Sequence, residues 1–181
     1  MKKLTHERLR EALHYSVVTG EFYWKIQAAR RRKPGEVAGN ISKTSGYVQL
    51  QIDGEVLLGH TVAFFYLYGR WPEQTTDHIN RIRSDNRWLN LRESTYTQNN
   101  QNAFRAREGK LPGAYYDKRR ARIFSKIVVD GRQIQLGVFD TEEEAHEAYK
   151  EASLQHFGEF SPFFEREMIW KSMQNISKVG E

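Results

Sequence analysis

The segment from Gln74 to Arg107 limits the fold of this 181-residue chain more than any other part of it. Residues 74–78 and 89–94 have the composition of short strands, residues 79–88 are polar and aperiodic, and residues 97–107 favour a helix. A strand, a loop, a strand and a helix in this order can bring the end of the first strand to the first helical turn. We therefore expect an α+β fold with a polar site where these elements meet.

Four polar residues stand at those junctions and define the candidate site. The Asp77 carboxylate and the Asn99 amide oxygen are ligands that suit Mg²⁺ or Mn²⁺. Because strand side chains alternate, His78 should point away from Asp77 and could act on a water as general base. Asn90 could accept the other imidazole N–H. Together these residues predict metal-dependent phosphodiester hydrolysis, although each alone is also an ordinary turn former.

The residues before this segment predict mainly local structure. Thr5 can cap a helix whose apolar positions are Leu9, Ala12 and Leu13, and residues 21–24 predict an aromatic strand. Residues 28–46 lack a period, so the basic run 30–33 is expected on a loop, where it is either a solvated face or a phosphate contact. A hairpin turned by residues 53–54 and an apolar helix over residues 60–68 complete this part.

His60 stands at the start of the apolar helix and allows two interpretations. It could be a metal ligand, because imidazole is a common one. A histidine on an apolar helix is more often a packed, hydrogen-bonded core residue, and this is the interpretation we favour.

A second compositional unit follows a linker predicted at residues 109–112. Residues 113–132 carry six basic and two acidic side chains, and residues 122–129 alternate in polarity before a turn at Asp130-Gly131. With residues 114–116 this predicts three antiparallel strands. Thr141 and Glu144 form a capping box for a helix with an alanine stripe and an acidic outer face. The basic sheet, not the acidic helix, should therefore meet a phosphate backbone.

Composition adds few constraints. Lys and Arg outnumber Asp and Glu by 28 to 23, which weakly favours a polyanionic partner. The absence of cysteine excludes disulfides and a thiolate zinc site. The charged residues after Met1 do not resemble a signal peptide, and no apolar stretch is long enough to span a membrane. We expect a cytoplasmic protein without a membrane partner.

The candidate site resembles that of the HNH (His-Me finger) endonucleases, in particular the phage and intron-encoded homing type. The resemblance is carried by residues 46–48, 69–72, 77–80, 85–87, 90–92 and 98–100, together with the helix that begins at His60. It implies an N-terminal ββα-metal nuclease domain over residues 1–108. It further implies that His78 is the general base, that Asp77 and Asn99 bind the metal, and that Asn90 supports the histidine. Thr61 and Arg81 depart from the family, which usually has Arg and Gly there.

Residues 113–161 resemble the plant ethylene-response-factor (APETALA-type) DNA-binding domain, which also occurs fused to phage HNH nucleases. The match lies in residues 113–116, 136–141, 143–145, 148–149 and 156–159. It implies a domain over residues 113–164 whose sheet enters the major groove of double-stranded DNA. The residues implied in DNA binding are Tyr115, Arg119, Arg120, Arg122, Lys126, Arg132, Gln133 and Gln135. Residues 165–181 then form a C-terminal tail, predicted as a helix.

These observations leave two main functions to compare. The first is a site-specific, metal-dependent DNA endonuclease, in which the second unit finds the target and the first cuts it. The second is a DNA-binding transcriptional regulator with a degenerate nuclease core, against which the intact set of four site residues argues. An RNA-binding role lacks its usual signatures. The sequence leaves the target and the choice between monomer and homodimer open.

Overall fold

The computed structural model describes residues 4–27, 32–103 and 111–164. The chain divides into two compact units, Met1–Asn99 and Asn100–Glu181. Helices and small antiparallel sheets are mixed along it, so the predicted α+β class is confirmed. Within the described ranges, no helix combines the length and the apolarity that a membrane crossing requires.

The first unit begins with a helix and a three-stranded sheet. Thr5 caps the helix as predicted, because its hydroxyl accepts from the Arg8 backbone N–H at 3.2 Å. The prediction that Leu13 continues the helix is wrong. Leu13 and Tyr15 alternate into the core on a strand, and this burial overrides the helical spacing. The elements are α1 (His6–Ala12), β1 (Leu13–Tyr15), β2 (Phe22–Trp24) and β3 (Val37–Ala38), with sheet order β1-β2-β3.

A second three-stranded sheet contains β4 (Asn40–Ile41), β5 (Val48–Ile52) and β6 (Glu55–Leu58). Asp53 and Gly54 both have positive φ, 49° and 88°, which confirms the predicted two-residue hairpin turn. Two of the strands, β3 and β4, lie within residues 28–46, and because each is only two residues long they show no period in the sequence. Arg30 and Arg31 lie outside the described residues.

A buried helix, α2 (Gly59–Tyr68), packs in the core of the first unit. It ends at Tyr68, where the predicted helix also ends, and Gly69 follows in the left-handed conformation. Full burial of an aliphatic or aromatic side chain contributes about 1.5–3 kcal/mol. The side chains that are essentially inaccessible include Leu9, Leu13, Phe22, Leu50 and Val62.

The candidate site is built on a two-stranded antiparallel sheet and the segments around it. Its strands are β7 (Thr75–His78) and β8 (Leu91–Ser94), and α3 (Tyr96–Asn102) follows. The second strand was expected from Leu89, but residues 88–90 form a single 3₁₀ turn, so Asn90 precedes the strand. The helix was expected to reach Arg107; it ends at Asn102, and residues 104–110 lie outside the described part.

The second unit contains the predicted sheet of three strands and its helix. β9 (Ala114–Asp117), β10 (Arg122–Val129) and β11 (Arg132–Phe139) pair in the order β11-β10-β9, and α4 (Glu142–Phe157) packs on them. The capping box is confirmed, because the Thr141 hydroxyl accepts from Glu144 N at 3.1 Å and the Glu144 carboxylate accepts from Thr141 N at 3.4 Å. The predicted tail helix over residues 165–181 lies outside the described residues.

Candidate functional site

The last two residues of β7 are an aspartate and a histidine, and their side chains lie on opposite faces of the strand. Asp77 lies across from Arg92 of β8, whereas His78 lies across from Leu91. Both side chains are buried, with 4% and 5% exposure. Two ionisable groups are thus held in the interior of the first unit at the end of one short strand.

Asp77 is part of a buried ion pair. Its Oδ2 accepts from Arg92 Nε at 3.0 Å and from Arg92 Nη2 at 2.7 Å. The side chains are only 5% and 10% exposed, respectively. An isolated carboxylate at this depth would lose several kcal/mol of hydration, so the guanidinium compensates its charge. The sequence did not reveal this contact, because it depends on the register between β7 and β8.

The His78 ring is oriented by Asn86. His78 Nε2 lies 3.0 Å from Asn86 Oδ1. A carboxamide oxygen only accepts, so Nε2 carries the proton and Nδ1 is the basic nitrogen. Burial lowers the pKa of His78, while the Asn86 contact raises it in part, and the ring is therefore neutral near pH 7.

Asn90 supports the loop rather than the imidazole. Its Oδ1 accepts from Asn80 N at 2.8 Å, and its Nδ2 donates to Asn80 Oδ1 at 2.9 Å and to Asp85 O at 2.7 Å. The hydrogen bond that His78 was expected to donate to Asn90 is donated to Asn86 instead. The physical reason is that Asn90 lies in the 3₁₀ turn, facing the loop over residues 80–85.

Other contacts fix the same loop from a distant part of the chain. The Tyr15 hydroxyl donates to Asn86 O at 2.6 Å, and burial raises the pKa of this phenol. A Cβ at Gly20 would overlap the backbone of Asn86 and Arg87, so only glycine permits this close approach. Residues 85–87 were part of the predicted motif, but the contact of Asn86 with His78 was not predicted, and Tyr15 was not predicted at the site at all.

A cluster of rings surrounds His78. The His60 ring lies edge-on to it at 4.8 Å between centroids, and Tyr47 lies 5.8 Å from His78 and 5.0 Å from His60. His60 is 4% exposed, and its Nδ1 has no hydrogen-bond partner among the described residues. Burial, followed by repulsion from His78, lowers the pKa of His60 to about 3. His60 is therefore a packed, neutral histidine, but the hydrogen bond expected for it is not made at Nδ1.

The second expected metal ligand, Asn99, lies in α3. It is half-buried, its backbone N–H donates to Thr95 O at 3.0 Å, and its carboxamide makes no hydrogen bond to a described residue. No group of three or more histidine, aspartate or glutamate side chains suited to a metal occurs in the described ranges. Mg²⁺ typically binds one or two protein oxygens and completes its shell with water and substrate phosphate. The carboxylate of Asp77 and the amide of Asn99 fit that chemistry.

The exposed face of the second unit's sheet brings most of the predicted DNA-binding residues together. In the strand register, Lys126 lies opposite Gln135, Val128 opposite Gln133, and Phe124 opposite both Tyr115 and Val138. The alternate residues Ser125 and Ile127 are buried. Lys126 Nζ donates to Gln133 Oε1 at 2.9 Å and lies 5.1 Å from the Tyr115 ring centroid. The residues on the exposed set of positions are Tyr115, Arg122, Lys126, Gln133 and Gln135.

The remaining three basic residues lie at the ends of these strands. Arg119 and Arg120 are exposed in the turn between β9 and β10, where their backbone N–H groups donate to Asp117 at 2.9 and 3.4 Å. Arg132 begins β11 opposite Val129. By strand alternation it lies on the same face of the sheet as Ser125 and Ile127, although its side chain is exposed. They therefore flank the exposed face rather than form part of it.

Comparison with known proteins bears on the first unit. Residues 58–101 match the family described as HNH endonuclease. No curated protein and no solved structure matches the chain. The matched segment runs from the end of β6 through α2, β7 and β8 into α3. The part of the chain that contains the buried aspartate and histidine is therefore similar to HNH endonucleases, which supports a nuclease.

Proposed function

We propose that this protein is a metal-dependent, site-specific DNA endonuclease of the phage or intron homing type, with an N-terminal ββα-metal nuclease domain. The observation that carries the proposal is the buried pair of Asp77 and His78 at the end of β7, inside the segment that matches HNH endonucleases. The pair joins an anionic oxygen ligand to a neutral base. Metal-assisted hydrolysis of a phosphodiester uses both functions.

His78 is the general base in this proposal. With Nε2 directed at Asn86 Oδ1, Nδ1 is the nitrogen that takes a proton from the attacking water. The lowered pKa keeps the ring unprotonated at neutral pH, so it can accept that proton. Asn86 positions the ring, and Asn90 positions Asn86 indirectly by bracing the loop in which it lies.

Asp77 and Asn99 are the side chains that would hold a divalent metal, Mg²⁺ or Mn²⁺. The ion, when bound, neutralises charge on the scissile phosphate and on the leaving oxygen. Asp77 is held at the end of a strand, and Asn99 offers an amide without a described partner. Their oxygen donors support this assignment.

The second unit binds double-stranded DNA in this proposal, through the exposed face of its sheet. Residues 1–108 form the nuclease domain, residues 109–112 the linker and residues 113–164 an APETALA-type binding domain. The supporting observation is that Lys126, Gln133 and Gln135 are grouped by the strand register on the face opposite the buried Ser125 and Ile127. Cations bind phosphates, and glutamines can read base edges.

One observation favours the alternative of a DNA-binding regulator with an inactive nuclease core. Arg92 donates two hydrogen bonds to Asp77, so a metal ion has to share this carboxylate with the guanidinium or displace the guanidinium from it. The competing functions are separated by whether the purified protein cleaves DNA at all.

A plasmid assay tests the proposal. We expect Mg²⁺ or Mn²⁺ to convert supercoiled plasmid to nicked or linear DNA, and His78→Ala to slow the reaction by about 10²–10⁴-fold because a general base is lost. His14→Ala is the matched control, since His14 is an exposed histidine of β1 in the same unit. Undiminished cleavage by His78→Ala would exclude His78 as the base, and no cleavage by the intact protein would favour the regulator.

A further inference from the structure

The guanidinium of Arg92 occupies a defined position at the carboxylate proposed to bind metal. Two nitrogens of Arg92 share a single oxygen of Asp77, at 3.0 and 2.7 Å. The two residues are direct partners across β7 and β8, so their backbones fix the contact as well as their side chains. Both side chains are at most 10% exposed, which removes most of the screening by water.

The location of this pair separates it from an ordinary surface ion pair. One residue along β8, Glu93 accepts from Arg70 at similar distances, 2.9 and 2.7 Å, but through both carboxylate oxygens. The Arg70 and Glu93 side chains are 52% and 30% exposed, and such a pair contributes little in water. The buried pair is different, because loss of Arg92 would remove a compensating positive charge from a carboxylate in the interior.

A buried monovalent cation affects a divalent one in two ways. It compensates the carboxylate while no metal is bound, and it repels a metal that binds to the same group. Both effects weaken metal binding, because the Arg92 guanidinium already neutralises part of the negative charge of Asp77 that would attract the metal. Removal of the positive charge should therefore increase the affinity of the site for a divalent ion.

We propose that Arg92 is the resident counter-cation of Asp77 and that a divalent metal binds in competition with it. Arg92 thereby sets the metal affinity of the site and stabilises the metal-free protein. It is a positioning residue, since its effect is exerted through Asp77. This inference rests on the proposed function, because it takes Asp77 as a metal ligand.

The full-length protein can be titrated with Mn²⁺, with the free ion followed by its electron paramagnetic resonance signal. We expect Arg92→Gln to bind Mn²⁺ about tenfold more tightly than the wild type, because a charge close to the site is removed. Arg92→Lys keeps the charge and should stay within about threefold of the wild type. Arg70→Gln is the matched control and should bind as the wild type does, and Asp77→Asn gives the background of other sites.

The outcomes separate this inference from the proposed function. If the wild type cleaves plasmid with metal but Arg92→Gln binds Mn²⁺ no more tightly, the inference is wrong and the nuclease assignment stands. If the wild type neither cleaves nor binds Mn²⁺ above the Asp77→Asn background, both fail. If Arg92→Gln is unfolded without metal, competition predicts that Mn²⁺ refolds it. Failure of Mn²⁺ to refold this variant, together with a tenfold gain in the Mn²⁺ affinity of Arg92→Lys, would contradict the proposal.

Discussion

Arg81 has a backbone conformation that its residue type disfavours. Its φ is 63°, in the left-handed region, and its N–H donates to His78 O at 2.9 Å. Arg81 thus closes the turn that follows β7, at a position where the HNH endonucleases that the chain resembles usually have glycine. A non-glycine residue in this conformation costs about 1–2 kcal/mol.

Two substitutions of Arg81 should distinguish the effect of its backbone conformation on stability from the effect of its side chain. We expect Arg81→Gly to melt at or above the temperature of the wild type, and Arg81→Val to melt lower, because a β-branched residue is least tolerant of positive φ. Thermal unfolding followed by circular dichroism measures both. Equal losses in the two variants would mean that the arginine side chain, not the turn, is the important feature.

His60 makes the stability of the first unit depend on pH. Its pKa falls from 6.5 in the unfolded chain to about 3 in the folded protein, so the unfolded state binds more protons between these values. The free energy of unfolding should therefore fall as the pH drops below 6.5, by at most about 1.4 kcal/mol per pH unit from this group.

Urea unfolding at pH 7 and pH 5 tests this dependence. We expect His60→Leu to lose less stability between the two pH values than the wild type, because leucine cannot gain a proton. His14→Leu serves as the control, since the His14 side chain is exposed and should leave the difference unchanged. An identical pH dependence in His60→Leu and the wild type would show that His60 is not the group responsible.

At the scale of the element, the start of β9 depends on one glycine. Gly113 has a φ of 83°, and a Cβ there would overlap the ring and the Cβ of Tyr149 on α4. Gly131, in the hairpin between β10 and β11, has a φ of 77°, but a Cβ added there would meet nothing within 4 Å. The two glycines have the same backbone conformation and differ in the room available for a side chain, so alanine substitutions at the two positions form a matched pair.

We expect Gly113→Ala to destabilise the second unit by about 2 kcal/mol or more beyond Gly131→Ala, because overlap adds to the cost of positive φ. Hydrogen exchange of β9–β11 peptides measures the stability of this unit separately. If the two alanine variants exchange at the same rate, the approach of Tyr149 is not what requires glycine at position 113.

Elements that depend on local chemistry could be predicted from the sequence. The hairpin turns at residues 53–54 and 130–131 and the capping box of α4 follow from the side chains at those positions alone. The two-residue strands β3 and β4 could not be predicted, since their structure comes from pairing rather than from composition. The same holds in the site, where the partners of Asp77 and His78 depend on strand register and on a loop that folds back.

At the scale of the molecule, the net charge of +5 is less informative than its placement. The cations expected to contact DNA lie on or beside the sheet of the second unit, whereas α4 begins with three glutamates. Each phosphate contact releases counterions, so the slope of log affinity against log salt counts such contacts. A substitution on the sheet and one on the helix change the net charge equally, and only the first should change this slope.

Lys126 and Lys150 provide that comparison. Lys126 lies on the exposed face of β10, and Lys150 of α4 pairs with Glu147 at 3.2 Å. We expect Lys126→Gln to weaken DNA binding at low salt and to reduce the slope by about 1, and Lys150→Gln to leave both nearly unchanged. Fluorescence anisotropy with a duplex over a range of salt concentrations measures the slope. If the two variants lost affinity equally, net charge would govern binding and the sheet would not be the DNA-binding surface.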